Sequence, residues 1–329
     1  MTAAPVISVV ITAHNAAATI GATLRSIVRQ DAFASGKVEI VLVDDRSTDG
    51  TSEAAKAAEP DGLRLIRIDR PSDSGLTSRQ DALIVGFEAA SGDIVLTLDA
   101  DGIAGPDWIE SMTAPILAGR ADAVAGPVAF RSPAGMLGAW QTVDVADYLA
   151  TNRVLVGFGL PGGVLFGNFA FRREWFGRVG GFERMGITLT EDLAFAQALH
   201  KAGARLAYAG SGSVEVAACA SWSELIERAK RVSAGGISAL SIAIGVRMLL
   251  LPLLALPALV FGGVFAWLFW LRYVLGVLFT AWALLRTRRY RLVPLALLYE
   301  PLAIVIGLAV MWRLSRGAEI EWGGRKYAR

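Results

Sequence analysis

The sequence is poor in residues that cross-link a chain or bind soft metals. Of its 329 residues, one is a cysteine, Cys219, and two are histidines, His14 and His200. One cysteine excludes an intrachain disulfide, so the chain does not require an oxidising compartment, and we expect Cys219 to be a small core residue. Because the two histidines lie far apart in the chain, a histidine-based metal site is not expected.

Charged residues are also scarce, and they are unevenly distributed. They make up 19% of the chain, whereas 54% of the residues are hydrophobic, which excludes disorder and is too apolar for a soluble globular protein. Residues 1–236 carry 21 Lys or Arg and 27 Asp or Glu, a net charge of −6, while residues 237–329 carry 11 and 3, a net charge of +8. An acidic body followed by a basic, apolar tail is typical of a cytoplasmic domain anchored to a membrane.

The beginning of the chain does not resemble a signal peptide. Its first ten residues lack a basic region, and their apolar run is only about as long as a strand. We therefore expect residues 1–236 to stay on the cytoplasmic side of the cell (inner) membrane, as the catalytic or binding domain of a multi-pass protein.

The first hundred residues alternate between apolar strand patterns and amphipathic helix patterns. The strands are predicted at residues 6–12, 38–43, 63–68 and 93–98, and the helices between them at residues 19–30, 51–58 and 77–90. This alternation predicts an α/β fold with a parallel sheet and helices on both faces. In such sheets ligands bind beyond the carboxyl ends of the strands. After residue 105 the pattern becomes less regular.

The tail, residues 237–329, is predicted to be a membrane domain. Residues 248–270 form an uncharged run of 23, long enough to cross the hydrocarbon core, and residues 271–285 supply most of a second span. A third apolar stretch, residues 292–312, is interrupted by Pro294 and by Glu300-Pro301, and a carboxylate there is costly unless it faces protein or an interface. We expect two spans plus a re-entrant segment or third span.

Two carboxylates directly follow the fourth predicted strand. Asp99 and Asp101 are two residues apart, and at a strand end they can place oxygen ligands on one Mg²⁺ or Mn²⁺ that bridges a diphosphate. The alternative is an acidic turn.

Asp44 and Asp45 end the second strand, where they can accept hydrogen bonds from a base or from ribose hydroxyls. Alternatively, Asp45 or Ser47 serves only as a cap of the next helix.

Two further groups of residues are candidates for a catalytic or binding role. Thr190-Glu191-Asp192 precedes a helix pattern, so a carboxylate there can be a general base or, alternatively, part of a helix cap. Arg228, Lys230 and Arg231 precede the apolar tail and can hold phosphate charge or contact anionic lipid.

Taken in order, these motifs resemble the membrane-bound family 2 glycosyltransferases, which have a GT-A fold. The resemblance covers most of residues 6–236 and is carried by Ile7-Ser-Val-Val-Ile-Thr-Ala-His-Asn15, Val43-Asp-Asp-Arg-Ser-Thr-Asp-Gly-Thr51, Ser91-Gly-Asp-Ile-Val-Leu-Thr-Leu-Asp-Ala-Asp101, Arg172-Arg-Glu-Trp-Phe176, Gly180-Gly-Phe182 and Thr190-Glu-Asp192. The tail Ile320-Glu-Trp-Gly-Gly-Arg-Lys-Tyr327 is similar to that of ceramide-, hopanoid- and carotenoid-type lipid glycosyltransferases.

The resemblance implies a role for each matching residue. It implies that Thr12, Asp44 and Asp45 contact the nucleobase and ribose, that Arg79 and Asp99 contact the nucleotide, and that Asp101, with Asp99, binds the metal. It also implies that Asp192 is the catalytic base, with Glu191, Arg228 and Arg231 expected to contact substrate. Arg228-Ala-Lys-Arg231-Val232 keeps the arginine of the Gln-x-x-Arg-Trp motif of processive synthases but lacks its glutamine and tryptophan, which argues against a polymer-making enzyme.

The expected function is the metal-dependent, inverting transfer of one sugar from a nucleotide-sugar, with UDP as the expected nucleotide, to the hydroxyl of a membrane lipid. Mg²⁺ or Mn²⁺ is the expected cofactor, and no nucleic-acid partner is expected. One alternative is a polyprenyl-phosphate sugar transferase, whose acceptor phosphate should require more basic residues at the site. Another, of a different class, is a non-catalytic membrane scaffold that retains the fold.

Overall fold

The computed structural model describes residues 7–58, 62–131, 135–233, 239–316, 320–322 and 325–327. The chain forms two compact units, one made of Met1–Ala129 with Gly163–Ala217 and the other of Phe130–Gly162 with Ala218–Arg329. This is a different division from the predicted boundary at residue 236, because two segments before that residue group with the apolar tail. The assignment of residues 1–236 and 237–329 as functional domains stays a prediction.

The elements follow the chain in this order. The strands are β1 (Ile7–Ala13), β2 (Val38–Asp45), β3 (Leu63–Ile68), β4 (Ile94–Asp99), β5 (Ile103–Ala104), β6 (Ala123–Ala125), β7 (Val128–Arg131), β8 (Phe169–Arg172), β9 (Leu206–Tyr208), β10 (Val214–Ala217), β11 (Ile320–Trp322) and β12 (Arg325–Tyr327). The α-helices are α1 (Ile20–Val28), α2 (Asp31–Ala34), α3 (Thr51–Ala57), α4 (Ser78–Ala89), α5 (Trp108–Leu117), α6 (Met136–Gly157), α7 (Glu174–Arg178), α8 (Gly181–Met185), α9 (Glu191–Lys201), α10 (Trp222–Ser233), α11 (Ala239–Phe261), α12 (Gly263–Arg286) and α13 (Ala296–Ser315). Phe166–Asn168 and Tyr290–Leu295 are 3₁₀ segments.

The first unit is built on a seven-stranded sheet with the order β3-β2-β1-β4-β8-β6-β9. The predicted parallel pairing is confirmed for β1 to β4, whose inner strands are buried. Beyond β4, where the sequence pattern predicted no sheet pairing, β8 runs antiparallel to both β4 and β6, so the sheet as a whole is mixed. Apolar periodicity reports that a strand is covered on both faces, and it carries no information about the direction of its neighbour.

The register of the parallel strands brings the polar strand ends to one edge of the sheet. Thr12 on β1 is aligned with Asp99 on β4, and Ala13 is aligned with Asp44 on β2. The carboxyl end of each strand therefore opens on the same crevice, where ligands of open α/β sheets bind.

A cluster of phenylalanine rings fixes α9 against the sheet in the first unit. Phe195 of α9 packs edge-to-face on Phe171 of β8, with ring centroids 5.0 Å apart, and Phe87 of α4 lies 5.2 Å from the same ring. Aromatic pairs in this geometry contribute about 0.5–1.5 kcal/mol each beyond the area they bury. The first turn of α9, which carries Glu191 and Asp192, is thus held by a rigid core.

The second unit contains a helix that the sequence pattern did not predict. Helix α6 has 22 residues and packs on the apolar helices of its own unit, with Trp140 and Val143 in one core with Leu284 and Ile306. Its buried positions include polar residues such as Asp147, so apolar and polar residues do not separate into two stripes. The resulting lack of amphipathic periodicity left α6 without a helical signal.

Three described helical segments are long and apolar enough to cross a membrane: Ser241–Phe261, Gly263–Arg286 and Tyr290–Ser315. The predicted limits of the first span are wrong, because the uncharged run of residues 248–270 is divided at Gly262 and Gly263. Both glycines adopt positive φ values, 58° and 50°, which few other residues adopt easily, and so they end one helix and begin the next. An uncharged run marks apolar surface but does not mark helix ends.

The third apolar segment contains a buried carboxylate that faces protein. Glu300 on α13 accepts two hydrogen bonds of 3.1 Å from Arg272 on α12, and its Oε1 lies 3.2 Å from Nε of Arg247 on α11. Arg247 also pairs with Asp147 of α6, and Thr280 donates a hydrogen bond of 2.8 Å to the Asp147 carboxylate. Charged side chains in apolar helices are tolerated when they are paired inside a bundle. Gly323 and Gly324 of the tail motif lie outside the described residues.

Candidate active site

The predicted metal ligands stand at the end of β4 and in the turn that follows it. Asp99 is the last residue of the strand, and a hydrogen bond of 2.9 Å from the Gly102 amide to the Asp99 carbonyl closes the turn that contains Asp101. Both side chains are half-buried. Asp99 Oδ1 accepts a hydrogen bond of 2.6 Å from Arg79 Nη2.

The backbone of Gly167 lies close to the other oxygen of the Asp99 carboxylate. Gly167 lies so close that a Cβ added to it would stand 2.6 Å from Asp99 Oδ2. Because any larger residue would displace the carboxylate, glycine is required here for a close approach rather than for its φ. Sequence reasoning did not find this contact, since a single glycine before a predicted strand has no distinctive signal.

Arg79 joins the strand end to helix α9. Its Nη2 donates to Asp99, and its Nε donates to Glu191 Oε1 at 2.7 Å. Burial lowers the pKa of this guanidinium, but the charges of Asp99 and Glu191 outweigh that effect and raise it overall. The structure places Arg79 between two carboxylates, and its predicted contact with the nucleotide stays a prediction.

A capping box positions Arg79 in the first turn of α4. Thr77 Oγ1 accepts from the Gln80 amide at 3.2 Å, and Gln80 Oε1 accepts from the Thr77 amide at 3.1 Å. This reciprocal pair satisfies two amide groups that a helix start would otherwise leave unpaired. The local sequence therefore fixes where α4 begins and places Arg79 in its first turn.

Asp192, the predicted base, lies in the first turn of α9. Its Oδ1 accepts a hydrogen bond of 2.8 Å from the Leu193 amide. Burial and the neighbouring Glu191 carboxylate raise the pKa of Asp192 to about 7, against the opposing effects of the Leu193 hydrogen bond and the Arg79 charge. A carboxyl group with a pKa near neutrality is matched to accepting a proton at physiological pH. Thr190 makes no side-chain cap on this helix.

Asp44 is held by side chains of its own unit. It is fully buried, and its carboxylate accepts from the Ser47 amide at 3.1 Å, from the Ser52 hydroxyl, and from Arg67 Nη1 at 2.8 Å. Burial raises the pKa of Asp44, but these hydrogen bonds and the Arg67 charge hold it below its ordinary value overall. The predicted contact of Asp44 with the nucleotide stays a prediction, and the contacts present are those of a residue that shapes the loop. Arg67 could have been noticed as a charge inside a buried strand pattern.

The remaining predicted residues fall in two groups. Asp45 ends β2 and forms a two-pronged ion pair with Arg46, while Thr12 is half-buried between the ends of β2 and β4. Arg228 and Arg231 lie on α10 of the second unit, where the Arg228 guanidinium stacks 5.0 Å above the centroid of the Phe130 ring. Their predicted contacts with substrate stay predictions.

The donor set fits a divalent cation that is shared with a substrate. Asp99 and Asp101 are hard oxygen donors on one turn, and within the described residues no group of three His, Cys, Asp or Glu side chains could hold an ion by itself. Mg²⁺ is usually bound by one or two carboxylates together with substrate phosphates and water. The two aspartates therefore suit an ion completed by a diphosphate, and they do not form a closed protein site.

Comparison with solved structures supports the fold. A mannosyltransferase from Pyrobaculum calidifontis, solved in complex with GDP-Man and Mn²⁺, is similar over 91% of this chain and 88% of its own, with a TM-score of 0.56 and 20% sequence identity. The mixed sheet, with its polar strand ends on one edge, defines the first unit as a GT-A-like α/β domain. The predicted fold class, such a domain followed by apolar C-terminal helices, is confirmed.

Comparison of the sequence with protein-family models assigns the family. Residues 8–180, more than half of the chain, match the model of Glycosyl transferase family 2, and the chain belongs to that family. The suspected family resemblance is confirmed.

Curated relatives share shorter stretches. An undecaprenyl-phosphate 4-deoxy-4-formamido-L-arabinose transferase from Aeromonas hydrophila is 36% identical over 96 residues, 29% of this chain and 28% of the relative. A PGL/p-HBAD biosynthesis glycosyltransferase from Mycobacterium tuberculosis is 43% identical over 100 residues, 30% of this chain and 36% of the relative. Glycosyltransferase AglE from Haloferax volcanii is 32% identical over 133 residues, 40% of this chain and 42% of the relative. The chain thus spans less than half the length of these relatives.

Proposed function

We propose that this protein is a membrane-anchored, inverting glycosyltransferase that moves one sugar from a nucleotide-sugar to the hydroxyl group of a membrane lipid. The observation that carries this proposal is the arrangement of Asp99, Arg79, Glu191 and Asp192, which sets a candidate base beside candidate nucleotide and metal ligands. We expect UDP to be the nucleotide of the donor.

Asp192 is the general base of the proposed reaction. Its carboxylate takes the proton from the acceptor hydroxyl as that oxygen attacks the anomeric carbon, and the bond from that carbon to the diphosphate breaks in the same displacement. Attack from the side opposite the leaving group inverts the anomeric configuration. A positioned base of this kind contributes about 10² to 10⁴ in rate.

Asp99 and Asp101 would hold Mg²⁺ or Mn²⁺, which supplies positive charge against the departing diphosphate when bound. The two carboxylates orient the nucleotide end of the donor toward the strand edge, and Arg79 keeps Asp99 in place through its hydrogen bond of 2.6 Å. Arg228 and Arg231 are proposed to add positive charge for the leaving group.

The apolar helices support a lipid as acceptor. Three described segments are suited to cross a membrane, and large side chains such as Leu253, Leu256 and Leu259 on α11 are exposed to the surroundings, as expected for contact with lipid. We propose that the protein is a multi-pass protein of the cell (inner) membrane with its sheet domain in the cytoplasm. An acceptor that resides in the bilayer can then reach the enzyme without passing through water.

A polyprenyl phosphate is the second candidate acceptor, favoured by the relative that acts on undecaprenyl phosphate. The two acceptors differ in their need for a base. A phosphate monoester has a second pKa of about 6, so it is already anionic at neutral pH and needs no proton removed, whereas a hydroxyl does. The pKa of about 7 at Asp192 therefore supports the hydroxyl acceptor.

The test is to incubate membranes containing the protein with a panel of radiolabelled nucleotide-sugars and to extract the lipids. We expect label in the organic phase from one donor, retained after mild acid treatment, which cleaves sugar phosphodiesters but spares most glycosides. Acid-labile label would favour the polyprenyl-phosphate acceptor. Absence of lipid label from every donor, with protein present in the membranes, would contradict both proposals.

A further inference from the structure

Helix α10 packs beside the end of α13, the third apolar helix. Arg313 of α13 donates a hydrogen bond to the Glu227 carboxylate of α10, and both side chains are partly exposed. Behind this ion pair, Leu225 of α10 shares one hydrophobic core with Val310 and Leu314 of α13. The two helices belong to the same compact unit, and they meet at the level of residues 310–314.

Helix α10 is too polar to lie in the hydrocarbon of a bilayer. Five of its twelve residues are charged, and two carboxylates, Glu224 and Glu227, are exposed at its surface. Ionised side chains are costly in hydrocarbon unless they face protein or a water-filled cavity. Because α10 has carboxylates on its exposed face, it lies outside the hydrocarbon, and so does the end of α13 that it contacts.

The connection from α10 to α11 is too short to cross the bilayer. Ser233 ends α10 and Ala239 begins α11, so six residue steps join them. Even fully extended, six residues reach only about 20 Å, whereas the hydrocarbon core is about 30 Å thick. Helix α10 and the start of α11 are therefore on the same side of the membrane.

Two crossings bring the chain back to that side. If α11 and α12 span the membrane, as we propose, α12 ends at Arg286 on the side where α11 began. Tyr290–Ser315 is 26 residues long, so its length alone would allow a third crossing. A third crossing would carry Arg313 to the side opposite Glu227, and the ion pair between them could not form. Both ends of the third apolar segment must therefore lie on the side of α10.

Contacts at the start of α13 show the path that this segment takes. The Tyr273 hydroxyl of α12 donates to the Leu297 carbonyl at 2.6 Å, and Glu300 accepts from Arg272 at 3.1 Å. Tyr273 precedes Arg286 by about 20 Å of helix. The 3₁₀ segment after α12 thus leads back along α12 to the level of Tyr273, and α13 leads from there to α10.

The two faces of α13 have different surroundings. One face is apolar, and its members, which follow helical spacing and are each more than half exposed, are Leu297, Val305, Leu308 and Trp312. The opposite face is buried against protein. A helix with one exposed apolar face is suited to contact with acyl chains, and this face continues the exposed apolar surface of α11 and α12.

Arginines flank the segment at both ends. Those at its start are Arg286, Arg288, Arg289 and Arg291, and those at its end are Arg313 and Arg316. Short loops rich in arginine lie on the cytoplasmic side of membranes, so a segment with arginines at each end is expected to have both ends on that side. The charge pattern and the Glu227–Arg313 contact thus agree, although they are independent observations.

We infer that residues 290–315 form a re-entrant segment that enters and leaves the membrane through the leaflet on the side of α10. The exposed face of α13 contacts the acyl chains of that leaflet, and the arginines at both ends contact its headgroup phosphates. The membrane domain then has two spans, and the basic tail after Ser315 lies on the side of α10. This inference rests on the proposed location of the protein in a membrane.

The test is the side from which single cysteines react in membranes that contain the full-length protein. Cys219, the sole native cysteine and a buried one, is first removed by Cys219→Ala. One cysteine is then added at an exposed helix position, by Ser223→Cys on α10, Phe261→Cys on α11, Arg286→Cys on α12 or Ser315→Cys on α13. Sealed vesicles of each orientation are treated with a membrane-impermeant maleimide. We expect the cysteine at position 261 to react from one side and the other three from the opposite side.

The variants Ser223→Cys and Phe261→Cys are the matched references for the two sides, and samples dissolved in detergent control for the reactivity of each cysteine. Reaction of Ser315→Cys from the side of Phe261→Cys, or from neither side, would overturn the inference. Reaction of Phe261→Cys from the side of Ser223→Cys would also overturn it, because α11 would then not cross the membrane.

A cross-link tests the contact on which the inference depends. Glu227→Cys combined with Arg313→Cys should be joined by a short bifunctional thiol reagent in intact membranes, whereas Glu227→Cys combined with Phe261→Cys should not. Absence of the first cross-link, with both cysteines reactive, would overturn the inference. Labelling and cross-linking need neither donor nor acceptor, so their failure is distinguishable from a failure of the proposed sugar transfer.

Discussion

The Glu191 carboxylate should control the pH at which the enzyme becomes active. Glu191 is 5% exposed and pairs with Arg79, and its charge is one of the causes that raise the pKa of Asp192 to about 7. Glu191→Gln removes this like charge, so the pKa of Asp192 should fall. A base must be deprotonated to act. The acid limb of the pH–rate profile should therefore move to lower pH, by about one pH unit for the removal of one like charge on an adjacent residue.

Arg79→Gln should move the same limb in the opposite direction. The Arg79 charge lowers the pKa of Asp192, so its removal should shift the acid limb to higher pH. Burial is the largest cause of the raised pKa and is present in both variants. The limb should therefore stay well above pH 4, the ordinary carboxyl range, even in Glu191→Gln.

The assay is the initial rate of sugar transfer at saturating donor and acceptor, measured from about pH 5 to pH 9 so that the limb reports the bound enzyme. Glu174→Gln serves as the control, because Glu174 also pairs with an arginine, Arg178, but on the exposed surface of α7. It should leave the limb in place. If Glu191→Gln and Arg79→Gln shift the limb in the same direction, or neither shifts it, the assignment of Asp192 as base is refuted.

Further predictions concern the base, the metal ligands and the buried ion network. Asp192→Asn should bind donor nucleotide within a few fold of the wild type and lose about two or more decades of turnover, measured by steady-state kinetics. Because the raised pKa of Asp192 makes its ionised form unfavourable in the folded state, the same variant should melt at a higher temperature than the wild type at pH 8, and this difference should disappear as the pH falls toward 4. Excess EDTA should abolish transfer and Mn²⁺ or Mg²⁺ should restore it, and Asp101→Ala should lose most activity at any metal concentration, as measured by label transfer. Glu300→Ala should lower the melting temperature of the detergent-solubilised protein sharply, because it leaves Arg272 and Arg247 without a shared carboxylate, whereas Glu300→Gln should retain part of the stability.

Each of these has an outcome that contradicts it. Normal turnover of Asp192→Asn would make that residue part of a helix start and nothing more. Undiminished transfer in EDTA, after metal removal is verified, would exclude a metal-dependent reaction. An unchanged melting temperature of Glu300→Ala would show that the ion network does not stabilise the helices.

Much of the first unit could be predicted because its signals are local. Strands β1, β2 and β4 are short runs rich in β-branched residues, and helix α1 places Ile20, Leu24 and Ile27 on one buried face, so these elements are visible within a dozen residues. Asp99 and Asp101 could be assigned to the binding edge for the same reason, since a residue that directly follows a buried parallel strand stands at that edge. The apolar tail could be recognised from composition and length alone.

Other features depend on contacts between distant parts of the chain, which periodicity does not record. The antiparallel insertion of β8, the position of α6 among the apolar helices, and the division of an uncharged run at Gly262 are of this kind. So is the link from Asp99 through Arg79 to Glu191, which joins residues up to 112 positions apart.

Hydrophobic spacing and strand-end position act over short stretches of chain, which is why the fold class, the family motifs and the residue types available for chemistry could be predicted from the sequence. The surroundings of each carboxylate, in contrast, follow from the tertiary structure. Asp44 is buried against Arg67 and Ser52, whereas Asp192 is desolvated beside Glu191. The pKa of a carboxyl group depends on burial and on the charges within a few ångströms of it, and those neighbours are brought together by folding.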